Sequence, residues 1–179
     1  MLAAVIEVTA RTGYPGMTVE GVIARAGVSR RTFYEHFQNK EQAFLAAYDD
    51  AVGRLMKHVV DAYAEQARLG DRFRAALSGL LCFLADEPDI ARVCIVEVLS
   101  AGPAARERRN AIIQTYTDLA EAEIRRHIPT YRTPALTAEM TIGGLYAVVF
   151  ERVARGDTEA LPDLVDDLMY VLMIRTSGA

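Results

Sequence analysis

The stretch Thr18 to Lys40, TVEGVIARAGVSRRTFYEHFQNK, decides the reading of this chain. It scans as two short helices joined by a tight turn. Thr18 can cap a helix whose apolar residues Val19, Val22, Ile23 and Ala26 share one face at three-to-four spacing. Gly27 can turn left-handed at no steric cost and so ends that helix. Ser29 is a good cap for a second helix, with Phe33 and Phe37 four apart on its inner face. The outer face then carries Arg30, Arg31, Tyr34 and Gln38. Two arginines and a tyrosine at a helix N-terminus suit phosphate and base-edge contacts in a major groove. The pattern predicts a helix-turn-helix.

Working outward, TGYPGMTVEGVIARAGVSRRTFYEHFQNKEQAF, preceded by an apolar helix, resembles the DNA-binding region of the TetR family of transcriptional regulators. The resemblance rests on Gly13-Tyr14, on Ala26-Gly27-Val28-Ser29 at the turn, on Thr32-Phe33-Tyr34, and on Phe37 to Glu41. It covers roughly the first quarter of the chain; the remainder resembles the family only in helical layout. It implies a homodimer that binds operator DNA and represses transcription until a small molecule occupies the C-terminal domain. On that pattern Tyr34 and His36 match positions that touch the DNA backbone, and Thr32 can reach a base or a phosphate. The DNA-binding candidates are therefore Thr18, Arg30, Arg31, Thr32, Tyr34, His36 and Lys40.

The expected fold is all-α with about nine helices. A three-helix DNA-binding domain (1–45) is joined to a helical ligand-binding and dimerisation domain (46–179). With 179 residues, 51% of them hydrophobic and no Trp, the chain can bury a substantial helical core. The net charge of −4 does not point to nucleic acid. The signal is local, with Arg25, Arg30, Arg31 and Lys40 set against Glu20 and Glu35.

A first helix is expected over residues 1–12. The chain begins inside its apolar pattern, whereas the family usually carries several more residues, often basic, ahead of it. MLAAVIEVTA has no basic n-region and contains Glu7, so it does not read as a signal peptide. No apolar run approaches the ~20 residues of a membrane span, and a cytoplasmic location follows as the expectation. Asn39 and Gln42 resemble a capping box for a fourth helix over about 39–68, shared between both domains. Lys40 in its first turn is expected to clamp a phosphate. Gly53 is a weak point midway along that helix.

Gly70-Asp71 is expected to open a fifth helix. Glu87-Pro88 separates it from a sixth, over about 88–99. A long helix follows to His127, with Ile112, Ile113, Tyr116, Leu119 and Ile124 inward, then a loop over 128–134. The last two helices, near 135–155 and 161–175, are apolar over more than one stripe, so each is buried on more than one side. The family pairs these helices with their symmetry mates; Val149, Leu164, Leu168, Val171 and Leu172 are the interface candidates. Gly143-Gly144 would let another backbone approach closely.

Cys82 and Cys94 form neither a disulfide framework nor a metal motif. His36 lacks a partner at ligand spacing, and His58 and His127 are isolated, so no metal or cofactor is expected. Nothing resembles a phosphate loop, a nucleophile elbow or HExxH, and an enzyme is not expected. The inducer site is expected as a largely apolar cavity among helices five to eight, with Phe83, Cys94, Glu97, Tyr116 and Tyr146 as candidates. Ligand identity does not follow. The competing reading is a helical small-molecule-binding or interaction module that no longer binds DNA specifically.

Overall fold

The computed structural model describes residues 1–128 and 136–174, which hold nine α-helices and no strand. Helix α1 spans Leu2–Gly16 but breaks at Gly13, whose φ of 71° and ψ of 159° interrupt the hydrogen-bond ladder one residue beyond the expected end. Helices α2 (Val19–Ala26) and α3 (Arg30–His36) form the helix-turn-helix. Thr18 Oγ1 accepts the Gly21 N–H, Gly27 is left-handed at φ 65°, and Ser29 Oγ accepts the Thr32 N–H. The caps are those expected. Such a cap stabilises a helix by about 1 kcal/mol.

Helix α4 runs Lys40–Ala64, a turn shorter than expected. Asn39 caps it by accepting the Gln42 N–H, and the Gln42 side chain reaches back to the N–H of Gln38. Helix α5 (Leu69–Asp86) begins just ahead of Gly70-Asp71. The predicted sixth helix is three pieces in sequence: α6 (Pro88–Ala91), a π-helical turn (Arg92–Val96) and a 3₁₀ turn (Glu97–Leu99). The Glu97 N–H reaches the Arg92 carbonyl, and this one-residue widening leaves no mark on hydrophobic periodicity. Then come α7 (Pro103–His127), α8 (Leu136–Arg155), two 3₁₀ turns, and α9 (Val165–Ile174). The expected loop over 128–134 lies, beyond Ile128, outside the described residues.

Two apolar cores hold the described chain. The first gathers Val5, Val8, Val22, Phe33 and Phe44 with Ile90, Val93 and Val98. Phe33 is fully buried in this core among residues of α1 and α4, and within its own segment Tyr34 and Phe37 pack on it at 5.4 and 5.5 Å. The second core packs Leu55, Leu77, Leu81 and Leu84 against Val149, Val153, Leu161 and Met169. Segment 88–99 touches α1 on one side and α8 on the other. Leu119, expected inward, is 58% exposed; α7 turns Ile112, Ile113 and Tyr116 inward and leaves Leu119 in solvent.

Candidate DNA-binding face and ligand cavity

Helix α3 presents Arg30, Arg31, Tyr34 and His36 on its exposed side, while Phe33 anchors the opposite side. Each arginine of the motif rests on a carboxylate. Arg30 pairs with Glu20 of α2, Arg25 with Glu7 of α1, and Arg31 Nε with Glu35 at 3.0 Å. Exposed pairs of this kind contribute at most about 1 kcal/mol, so a phosphate can displace them. The Thr32 hydroxyl lies 2.9 Å from that of Ser29, and the Thr18 hydroxyl is engaged in its cap.

Lys40 does not project freely, as a phosphate clamp would. Its ammonium donates to the carbonyls of Tyr14, Pro15 and Met17 at 3.3, 3.5 and 3.2 Å, and sits 4.7 Å from the centre of the Tyr14 ring. It thus caps the broken end of α1, where carbonyls lack helical partners and a cation is favoured. This resting place was not legible locally, because the end of α1 lies 23 to 26 residues upstream of Lys40.

A cavity of about 210 Å³ opens between α4, α5, the π-helical turn, α7 and α8. Of the five candidates, Cys94, Tyr116 and Tyr146 line it. Phe83 and Glu97 do not. Phe83 packs its ring 5.7 Å from that of His58, and Glu97 turns toward α1. Tyr48 and Arg109 also line the wall and were not expected. Arg109 was legible in principle, since it precedes Ile112, Ile113 and Tyr116 on one stripe at three, four and seven residues. Its guanidinium lies 3.9 Å over the Tyr146 ring, Nη1 bonds Asn110, and the buried Nε–H has no partner. The Tyr146 hydroxyl donates to the Ile95 carbonyl across the cavity. Burial pushes the Cys94 thiol up to about 12 and raises the Tyr48 and Tyr146 phenols. At neutral pH Arg109 is therefore the one charged group, among the described residues, on a largely apolar wall.

The interface candidates divide. Val149 is 3% exposed and belongs to this chain's own second core, which corrects its assignment to an outer face. Leu164, Leu168 and Leu172 pack against the same core while partly exposed. Val171, at 50%, stands out in solvent beside Tyr170. On α8, Met140, Gly143, Gly144 and Ala147 form an exposed, mostly small-residue strip, and among the described residues a Cβ built on either glycine would meet nothing within 4 Å beyond the neighbouring backbone of α8 itself.

Residues 1–47 match the family described as bacterial regulatory proteins, tetR family. Over 183 residues the chain is 30% identical to an uncharacterised helix-turn-helix-type transcriptional regulator of Mycobacterium tuberculosis (strain H37Rv), spanning all of this chain and 80% of that protein. The chain belongs to the TetR family of transcriptional regulators.

Other likenesses agree on this TetR fold. A fatty acid metabolism regulator protein of Bacillus subtilis (strain 168) is 24% identical over 121 residues, 68% of this chain; the match spans 62% of that regulator, less than two thirds of its length. The structure of the fatty acid degradation regulator FadR from Bacillus halodurans superposes with a TM-score of 0.83 at 22% identity, covering 96% of this chain and 95% of that one. FadR from Bacillus subtilis, solved in complex with stearoyl-CoA, gives 0.79 at 21% identity over the same shares. No helix among the described residues is long and apolar enough to cross a membrane.

Proposed function

We propose that this TetR-family regulator is a repressor that binds operator DNA as a homodimer and is released by a long-chain acyl ligand. The observation that carries the reading is Arg109 on the wall of an otherwise apolar cavity. An apolar cavity favours a hydrocarbon chain, and a buried N–H without a partner favours an oxygen acceptor on the same molecule. A fatty acid or an acyl thioester has both parts. The likeness to FadR bound to stearoyl-CoA supports the same class. Arg30, Arg31, Thr32, Tyr34 and His36 would face DNA, with Thr18 at the N-cap of α2. The division at residue 45 is then one of function rather than packing, because the first core runs from α1 through α4 into segment 88–105. The exposed strip on α8, with Tyr170 and Val171 of α9, would meet its copy across a two-fold axis. The setting is the cytoplasm, where operator DNA is reached.

Calorimetric titration of the full chain with palmitoyl-CoA and with palmitate, paired with a gel shift on the operator, tests this. Binding that frees the DNA is expected, weakened about tenfold or more in Arg109→Met because a charge-assisted hydrogen bond is lost. Failure of both probes to bind the wild-type protein would remove the ligand reading.

A further inference from the structure

Glu97 is the one buried charged residue among the described residues, at 6% exposure, and it lies outside the cavity where the sequence led one to expect it. Its carboxylate Oε2 accepts the N–H of Tyr14 at 2.8 Å, across 83 residues of sequence, and lies 3.5 Å from the Ser100 hydroxyl. Oε1 faces Arg92 Nη2 at 3.3 Å. The Tyr14 N–H is available because Gly13 leaves the helical ladder there, and a Cβ added at Gly13 would stand 3.4 Å from Oε2. The break in α1 and the carboxylate therefore fit one another. Tyr14 in turn holds Lys40 by its ring and its carbonyl, so the contact continues into the first turn of α4 and the end of the recognition unit.

The other side of the same segment is the cavity. Ile95, two residues before Glu97 in the π-helical turn, lines it with Cys94, and its carbonyl takes the Tyr146 hydroxyl. From these contacts we infer that Glu97 is a positioning residue that couples the cavity wall to the DNA-binding helices. The route runs Tyr146, Ile95, Glu97, Tyr14, Lys40. A carboxylate taken out of water is tolerated only while its partners stay in place, so the segment has one well-satisfied arrangement rather than a continuum. A ligand that displaces Tyr146 or presses on Cys94 and Ile95 shifts the 88–99 segment, and Glu97 carries the shift to α1. This path is separate from any motion along α4.

The inference rests on the DNA-binding reading but not on the acyl ligand, so its test contains no ligand. Operator duplex is first selected from a random pool by the wild-type full chain. Affinity is then measured for wild type, Tyr146→Phe, Glu97→Ala and the double variant. Tyr146→Phe, which removes the hydroxyl from the Ile95 carbonyl, is expected to change operator affinity about fivefold or more in the wild-type background, the lower range of allosteric coupling. With Ala at 97 the same change is expected to shrink to within about twofold, the scatter of independent sites. Glu97→Gln keeps an acceptor for the Tyr14 N–H and is expected to restore the response. Amide exchange gives a second reading: Tyr14 should exchange about tenfold faster in Glu97→Ala, and at the wild-type rate in Glu97→Gln, with α5 amides unchanged. General destabilisation would lower affinity without altering the ratio that Tyr146→Phe produces. Effects of Tyr146→Phe and Glu97→Ala that simply multiply, or no response to Tyr146→Phe in the wild-type background, overturn the assignment.

Discussion

Replacing Lys40 with Met separates two roles that the sequence merges. The methionine keeps most of the apolar stem and removes the ammonium. In the structure that ammonium serves three carbonyls, at 3.2 to 3.5 Å, and the Tyr14 ring at 4.7 Å. A well-formed hydrogen bond to a charged group contributes about 1.5–3 kcal/mol. Here one contact is at the geometric limit and the group is partly exposed, so the set is placed at the low end. The ring contact adds about 0.5–1 kcal/mol, and a water-filled gap would recover part of both. The expected loss is about 1–2 kcal/mol, read as a lower urea midpoint at unchanged slope. A phosphate clamp makes a different demand. Each neutralised phosphate contributes about 0.9 to the slope of log affinity against log salt, so losing one per subunit lowers the slope by about 1.8 for a dimer. The carbonyl cap predicts the stability loss with a slope change well below that value. An unaltered midpoint together with a drop of the full 1.8 would refute the cap and restore Lys40 to the phosphate.

The remaining expectations are simpler to state. Gly53 lies exposed in the middle of α4 with no atom within 4 Å of a built Cβ, so Gly53→Ala should raise stability by about 1 kcal/mol and shift the ligand concentration that releases DNA. Unchanged stability and an unchanged release curve would remove the weak-point argument. The Cys94 thiol, raised from 9.0 to about 12, stays protonated in the folded chain while an unfolded chain ionises it. Its stabilisation is present below pH 9.0 and falls by up to about 1.4 kcal/mol per unit as pH rises toward 12, with Tyr48 and Tyr146 acting in the same sense. A urea midpoint that stays flat from about pH 8 to about 10.5 contradicts this, and Cys94→Ala should flatten part of the decline. Val171→Asp should convert dimer to monomer in sedimentation while leaving the fold intact, which Asp at Val149 or Leu168 could not do because both pack on the protomer's own core. A wild-type monomer at micromolar concentration would end the dimer reading.

What the sequence reveals here is what is decided locally. Thr18, Gly27, Ser29 and Asn39 act within three or four residues of themselves, so their caps and turn follow from residue type and spacing. Phe33 is placed by the helical period alone. What it does not reveal includes partners far along the chain. Lys40 finds carbonyls of α1, and Glu97 finds an amide that exists only because Gly13 breaks a helix. Val149 shows a related limit. A helix apolar over a broad arc needs two partners, and periodicity does not say which side meets the protomer's own core. Arg109 is a different failure. Its position on the Ile112–Tyr116 stripe is visible in the sequence, but spacing alone does not tell a charge that enters a cavity from one that snorkels to solvent.

The paired arginines of the helix-turn-helix bear on how a chain of net charge −4 can select a DNA site. Arg25, Arg30 and Arg31 each hold a carboxylate in the free protein. None of these pairs is strong enough to prevent DNA binding, because the side chains are exposed and screened. Each does subtract from the attraction to any phosphate, since a carboxylate must be left behind wherever an arginine is taken. That subtraction applies to every duplex sequence alike. The gain from a bidentate contact to a base edge applies only at the right site, at about 1–3 kcal/mol for each good pair. Neutralising the face therefore lowers non-specific binding without lowering discrimination, and the ratio between the two governs occupancy in a genome full of competing sites. The acidic balance of the chain is in this way compatible with a DNA-binding role. It sets a low background against which Arg30 and Arg31, once released from Glu20 and Glu35, would read a sequence.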